Sequence, residues 1–286
     1  MLKRLLGLTA AVLVTVPAYA AAPDSTLARI KDTGTITLGH RDDSRPFSFV
    51  GGDGKPAGYA LDLCERVANA VKEDLGLSTL KVAYKPVSAE SRFDAVADGT
   101  IDIECGASSQ TLSRREQVSF SLMTFITGAS LLTKADAGIN GVGDLGGKTV
   151  AVVSGTTTEK AIEQRLADNG VEATVVKVAD HDEAMAMLEK GDVDAHSSDQ
   201  LILIGLAKQT KNPGNYALAP ELFTYEPYGL VVRRNDDDFR LAVDRAIAQL
   251  YRTGEIATVY EKWFGDWGGQ PSRLLIAMWA LNGLPE

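Results

Sequence analysis

The sequence predicts an α/β protein built as two lobes of related construction. Three observations carry this reading. Strand-like and helix-like patterns alternate along most of the chain. Two similar segments, Ala97-Asp98-Gly99-Thr100-Ile101-Asp102 and Glu189-Lys190-Gly191-Asp192-Val193-Asp194, lie 92 residues apart, each preceded by the same order of elements. A chain of 286 residues also exceeds what one hydrophobic core normally organises.

Taken in order, the first segment reads as a leader. Lys3 and Arg4 precede an apolar run, Leu5 to Val16, and Ala18-Tyr19-Ala20 offers small residues where a signal peptidase reads them. The run is about a dozen residues, short of the ~20 a membrane-spanning helix needs, so a membrane anchor is the lesser reading. Residues 1–20 are therefore expected to be a signal peptide cleaved near Ala20, leaving an exported chain of about 265 residues.

Thr35 to Gly39 reads as a strand, and Gly51-Gly52-Asp53-Gly54 as the tip of a hairpin after Phe47 to Val50. Leu61 to Leu75 is an amphipathic helix, with Leu61, Val67, Ala68 and Val71 on one side and Glu65, Arg66 and Lys72 on the other. Leu80 to Tyr84 is a strand, Ser91 to Ala97 a short helix closed by Gly99, and Ile101 to Glu104 a strand. The second run repeats this grammar: strand Lys148 to Val153, helix Glu159 to Asn169, strand Thr174 to Val178, helix Asp182 to Glu189 closed by Gly191, and strand Val193 to Ala195. Ala129 to Thr133 and Tyr228 to Arg233 read as strands that cross between the lobes, and Phe239 to Tyr251 as a helix. The expected organisation is a discontinuous first lobe, 21–128 and 229–286, with a second lobe, 129–228, inserted into it. Two strands joining two lobes make a hinge, and ligands favour clefts between lobes.

A formal charge of −9, about −11 once Lys3 and Arg4 are removed, argues against nucleic acid as a partner. An anionic ligand must then be caught by a local cationic pocket. Cys64 and Cys105 are expected to pair as a disulfide in an oxidising compartment; the alternative is two small buried hydrophobes. Two Cys and three His (His40, His181, His196) at scattered positions make no zinc pattern, and no cofactor is expected. Gly141 to Gly146 matches a dinucleotide-binding pattern but precedes a strand instead of following one.

Four clusters carry possible chemistry. Arg41 follows the first strand, where the ends of strands in open sheets face the ligand crevice; the alternative is a solvated pair with Asp42 or Asp43. Ser108 and Ser109, followed by Arg114, form a hydroxyl-rich loop that suits a carboxylate, with the guanidinium able to fork onto it; a Ser-rich helix cap with a solvated Arg is the alternative. Thr156 and Thr157 open a helix, where the N–H groups and the dipole favour an anion; an ordinary N-cap is the alternative. Asp199 is an acid suited to a ligand ammonium, against the alternative of a helix cap, and His181 at a strand end is a candidate donor to a ligand side chain, against the alternative of a structural histidine.

These clusters, in this order, resemble the amino-acid-binding proteins of bacterial ABC uptake systems, the glutamate/aspartate-binding members in particular. The stretches that carry the resemblance are Gly39-His40-Arg41, Gly58-Tyr59 with Asp62, Asp98-Gly99-Thr100 running through Ile101-Asp102-Ile103-Glu104-Cys105-Gly106, Ser154-Gly155-Thr156-Thr157, and Asp180-His181. The resemblance implies a type II periplasmic-binding-protein fold that closes on its ligand. It implies a periplasmic location, a membrane ABC permease as partner, and a monomer. It also implies that Arg114, Ser109 and Thr156 hold an α-carboxylate, Asp199 an ammonium, and Arg41, Arg92 and His181 a side-chain carboxylate. Relatives often carry hydroxyl residues where this chain has Ala89 and Ala107. Other functions open to the same scaffold are a prephenate or arogenate dehydratase-like enzyme and a sensor module.

Overall fold

The structure, a computed structural model, describes residues 25–267 and 269–286. The leader expected over 1–20 lies outside the described residues. Ser25 caps α1 (Thr26–Thr33) by accepting from the Ala28 N–H at 3.1 Å, and β1 (Thr35–His40) follows. β2 (Asp43–Ser44), β3 (Ser48–Val50) and β4 (Pro56–Ala57) form a small antiparallel sheet, with the expected glycine turn at the β3–β4 tip. Then come α2 (Tyr59–Asp74), β5 (Lys81–Pro86), α3 (Arg92–Ala97), β6 (Ile103–Glu104) and β7 (Val118–Thr127). The next group is β8 (Ala129–Lys134), β9 (Thr149–Val153), α4 (Thr157–Asp168), β10 (Thr174–Val178), α5 (His181–Lys190), β11 (Ala195–Asp199), α6 (Gln200–Gln209) and β12 (Tyr216–Leu218). β13 (Glu226–Arg233), α7 (Asp237–Thr253), α8 (Glu255–Phe264) and α9 (Arg273–Asn282) complete the chain.

Two five-stranded sheets result, ordered β5-β1-β6-β13-β7 and β10-β9-β11-β8-β12. In the first, β1 is parallel to β5 and β6, and β13 runs antiparallel between β6 and β7. In the second, β9 is parallel to β10 and β11, and β8 runs antiparallel between β11 and β12. The two sheets thus share one pattern, and the mixed α/β architecture in two lobes follows. Gly128 alone separates β7 of the first sheet from β8 of the second. A Cβ there would lie 2.6 Å from the Thr224 carbonyl oxygen, so glycine lets the outgoing and returning links run side by side.

The repeated hexamer does the same job in each lobe. Asp102 Oδ2 accepts from the Thr37 N–H at 2.7 Å, and Asp194 Oδ2 accepts from the Thr149 N–H at 2.8 Å. The backbone N–H groups of Asp102 and Asp194 donate in turn to the Thr37 and Thr149 carbonyls. Each aspartate therefore clamps the start of the neighbouring parallel strand through its side chain. This is why the strands begin later than the sequence predicts: β6 at Ile103 and not Ile101, β11 at Ala195 and not Val193. Asp199 accordingly closes a strand.

The disulfide expectation holds. Cys64 on α2 is bonded to Cys105 just after β6, with Cα atoms 6.1 Å apart. It anchors the strand end from which the loop to Arg114 departs. Beneath that loop, Phe47, Tyr59, Phe125, Tyr228 and Phe264 pack largely edge to face, with Phe47 centroids 5.0 Å from both Phe125 and Tyr228. All five are buried, which fixes Tyr228 against the base of the cleft.

The disulfide closes a loop of 41 residues, for which chain entropy gives about 4 kcal/mol of stabilisation. Replacing Cys64 and Cys105 together by Ser should lower the urea-unfolding free energy by about that amount. A loss below about 1 kcal/mol would show that the bridge adds little.

Candidate functional site

A cavity of about 20 Å³, room for about one water, lies where the two lobes meet. It is lined from the first lobe by Arg41, Ser44, Arg92, Ala107 and Arg114, and from the second by Thr156, Thr157, Thr158, His181, Ser198, Asp199 and Ile202. Seven of the nine residues expected to bind ligand therefore share one cleft. Ser108 and Ser109 stand behind it. Ser108 Oγ accepts from Arg92 Nε at 2.9 Å, and the Ser109 hydroxyl donates to Glu226.

Arg41 sits at the end of β1 and is 7 % exposed, which removes the solvated alternative. It is nevertheless paired: Nη2 donates to both Asp43 oxygens, at 2.9 and 3.1 Å. Asp43 also accepts from the His181 backbone N–H at 2.9 Å, across the cleft. Burial works against the Asp43 charge, but the Arg41 guanidinium, the His181 backbone N–H and the Ser44 hydroxyl outweigh it and leave its pKa lowered. Arg92, 3 % exposed, lies with its guanidinium 4.3 Å from the Phe93 ring centroid, and Nη2 reaches the Gly155 carbonyl at 3.4 Å. Burial, then the like charge of Arg114, lowers its pKa to about 9, still a cation at neutral pH. Arg114 donates to the Ser109 carbonyl at 2.9 Å and across the cleft to the Gly155 carbonyl at 3.2 Å.

The second lobe supplies a helix N-terminus. Thr156 caps α4 by accepting from the Glu159 N–H at 3.1 Å, and its hydroxyl proton goes to the Val153 carbonyl at 2.7 Å. Its side chain is therefore spent locally, and what this turn offers an anion is backbone N–H. Thr157 Oγ1 donates to Glu226 Oε2 at 2.8 Å. Asp199 occupies the N-cap position of α6 without capping it. It accepts instead from Thr158 Oγ1 at 3.3 Å and from the Tyr228 hydroxyl. Burial, then the charge of Glu226, pushes the Asp199 pKa up to about 7.

Besides the lining hydroxyls Ser44, Thr158 and Ser198, four groups of this centre were not singled out from sequence. Glu226 and Tyr228 come from β13, which the pattern marks only as a link between lobes. Asp43 was visible only as a surface partner of Arg41. Glu104 ends β6 fully buried, and neither of its oxygens has a well-formed hydrogen bond among the described residues. Burial raises its pKa, against the opposing pull of Arg92.

Residues 36–266 match the model of the bacterial extracellular solute-binding proteins, family 3. The chain belongs to that family. It is 41% identical over 255 residues to the L-glutamate/L-aspartate-binding protein of Pseudomonas aeruginosa, covering 89% of this chain and 84% of that one. It is 34% identical to the glutamate/aspartate import solute-binding protein of Salmonella typhimurium, covering 88% and 82%. Among solved structures it resembles an ancestral amino acid-binding protein, a precursor of cyclohexadienyl dehydratase, with TM-score 0.72, 28% identity, and 84% and 99% of the two chains covered. The fold is the type II periplasmic-binding-protein fold.

In this member of family 3 the lobes touch directly. Gly155 O holds guanidinium N–H groups that face the cleft, and a Cβ on Gly205 of α6 would lie 2.7 Å from the Arg45 carbonyl oxygen. With about 20 Å³ between them, the touching lobes leave no room for a ligand larger than a water molecule.

Asp199 gives a pH test. A carboxyl whose pKa is higher folded than unfolded adds no penalty below its ordinary 3.8 and its full penalty above about 7. Ligand-stripped wild type should therefore lose stability relative to Asp199→Asn as pH rises from about 4 to about 7. His181 and His196, held neutral, act in the opposite sense and cancel in the comparison. Parallel melting curves at pH 5 and pH 8 would contradict the assignment.

Proposed function

We propose that this chain is an exported binding protein that captures glutamate or aspartate between its lobes and delivers it to a membrane ABC permease by hinge closure. In this reading the leader is removed near Ala20, the mature chain works in the periplasm, and residues 21–128 with 229–286 close against 129–228. The observation that carries it is the convergence of Arg41, Arg92 and Arg114 with Asp199 in one cleft. The Pseudomonas and Salmonella relatives, a glutamate/aspartate-binding protein and a glutamate/aspartate import protein, support the same ligand class.

Counting only Arg41, Arg92 and Arg114 against Asp199 overstates the positive charge, because Asp43, Glu104 and Glu226 also lie at the centre. Burial resolves the balance. Burial raises the pKa of both Asp199 and Glu104, which weakens their opposition to the three guanidinium groups. Three guanidinium groups against carboxyls that burial holds back from full charge suit an anionic ligand. Micromolar binding needs about −8 kcal/mol. Charge-assisted hydrogen bonds of ~1.5–3 kcal/mol each supply it from a handful of contacts after association entropy is subtracted. Contacts shared by both lobes favour the closed state, as only such differential contacts can.

Calorimetry on ligand-stripped protein tests the reading. Arg114→Ala should abolish binding of glutamate, aspartate, glutamine and asparagine alike. Arg41→Ala should chiefly remove the preference for the acids over the amides. Equal affinity of the wild type for glutamate and glutamine at pH 7 would remove the argument for acidic ligands.

One observation favours a second reading. A buried cleft acid with a pKa near 7, here Asp199, is what a dehydratase on this scaffold would need. Incubation with prephenate and arogenate decides: turnover would replace the receptor reading, and recovery of unchanged substrate leaves it standing.

A further inference from the structure

His181 does not meet the cleft alone. Its Nδ1 lies 3.2 Å from Nε2 of His196 on β11, and His196 Nδ1 lies 3.3 Å from the Ala151 carbonyl oxygen on β9. His196 is fully buried and His181 nearly so. The direction of this chain is set at its far end. A carbonyl oxygen only accepts, so His196 carries its proton on Nδ1. Burial lowers the pKa of His196 to about 4 and that of His181 to about 3, so both rings are neutral at pH 7. A neutral His196 protonated on Nδ1 has a bare Nε2, which must accept from His181 Nδ1–H. A neutral His181 protonated on Nδ1 then has a bare Nε2.

We infer that His196 fixes His181 as a hydrogen-bond acceptor toward the ligand, and so acts as a specificity-setting positioning residue for the end of the ligand side chain. This deepens the proposed function and rests on it for the ligand class. It also makes the donor role expected of His181 from sequence conditional on the uptake of a proton. A side-chain carboxamide satisfies the bare nitrogen with its own N–H. A side-chain carboxylate does not, and meets His181 favourably only when a proton lies between them. Capture of glutamate is therefore accompanied by uptake of one proton at His181, whereas capture of glutamine needs none there.

The charged groups around His181 are consistent with a ring that gains a proton only with the ligand. Asp43 and Arg41 face it from the β1–β2 segment, His196 faces it from β11, Arg92 lines the same cleft from α3, and Asp180 and Asp182 flank it on its own helix. Asp43 favours a charged ring; Arg41 and burial oppose it. In the closed protein burial wins, and the ligand carboxylate supplies the missing anion.

Calorimetry with L-glutamate and L-glutamine, in buffers of different ionisation enthalpy, reads the proton count directly. Both ligands carry the same α-ammonium, so any proton released at Asp199 cancels in the difference. Wild type should take up about one proton more with glutamate than with glutamine. The ratio of their dissociation constants should rise by up to about tenfold per pH unit while the complex holds that proton. His196→Phe removes the acceptor for Nδ1–H, frees His181 to present Nε2–H, and should abolish the difference in proton count. His196→Gln, whose side-chain oxygen can accept from His181 Nδ1–H, should preserve it. Equal proton counts for the two ligands in wild type would overturn the inference. Imidazole ¹⁵N resonances of ligand-stripped wild type give a readout that needs no variant to fold and no ligand to bind. His181 protonated on Nδ1 supports the assignment, and His181 protonated on Nε2 overturns it. Failure of all four acidic and amide amino acids to bind would instead defeat the proposed ligand class, with the nitrogen resonances still deciding the tautomer.

Discussion

Removing a guanidinium from water costs several kcal/mol unless anions and acceptors replace its hydration, and two arginines of this protein are all but fully buried with a third half-buried. The rest of the centre is arranged around that constraint. Arg41 is answered by Asp43, Arg92 by Ser108 and the charge of Glu104, and Arg114 by the carbonyl oxygens of Ser109 and Gly155. Three of the bonds that achieve this cross between the lobes: His181 N–H to Asp43, and Arg92 and Arg114 to Gly155. The compensation of buried charge is thus also what brings the two halves together.

The fold serves this compensation by delivering each group from a rigid element. Cys64–Cys105 ties α2 to the end of β6, where the Gly106–Arg114 loop begins, and the aromatic cluster around Phe47 holds Tyr228 under Asp199. Asp102 and Asp194 clamp the starts of β1 and β9, whose far ends carry Arg41 and the α4 turn. Binding energy is then available for closing the lobes, because the groups inside each lobe are already ordered.

Much of this was legible in the sequence, and the reasons are specific. Alternating periodicity and the repeated hexamer marked two related α/β units, because each repeat performs the same backbone clamp. Arg41, Thr156 and His181 follow strands and Asp199 ends one, and strand ends in such sheets converge on one crevice. What stayed hidden depends on contacts between distant segments. Glu226 and Tyr228 reach the centre from a strand whose pattern shows only burial, and Glu104 is one residue in an apolar motif. His196 carries no local signal at all. Its meaning lies in being 3.2 Å from His181 and within reach of a carbonyl on a neighbouring strand.

The account rests on ligand charges replacing the direct contacts between lobes and holding them shut. Small-angle scattering of ligand-stripped protein, titrated with L-glutamate at pH 7, measures this most directly. The account predicts a decrease in radius of gyration that saturates with the calorimetric binding curve in wild type. It predicts no decrease in Arg114→Ala. Saturable glutamate binding with an unchanged radius of gyration would contradict it.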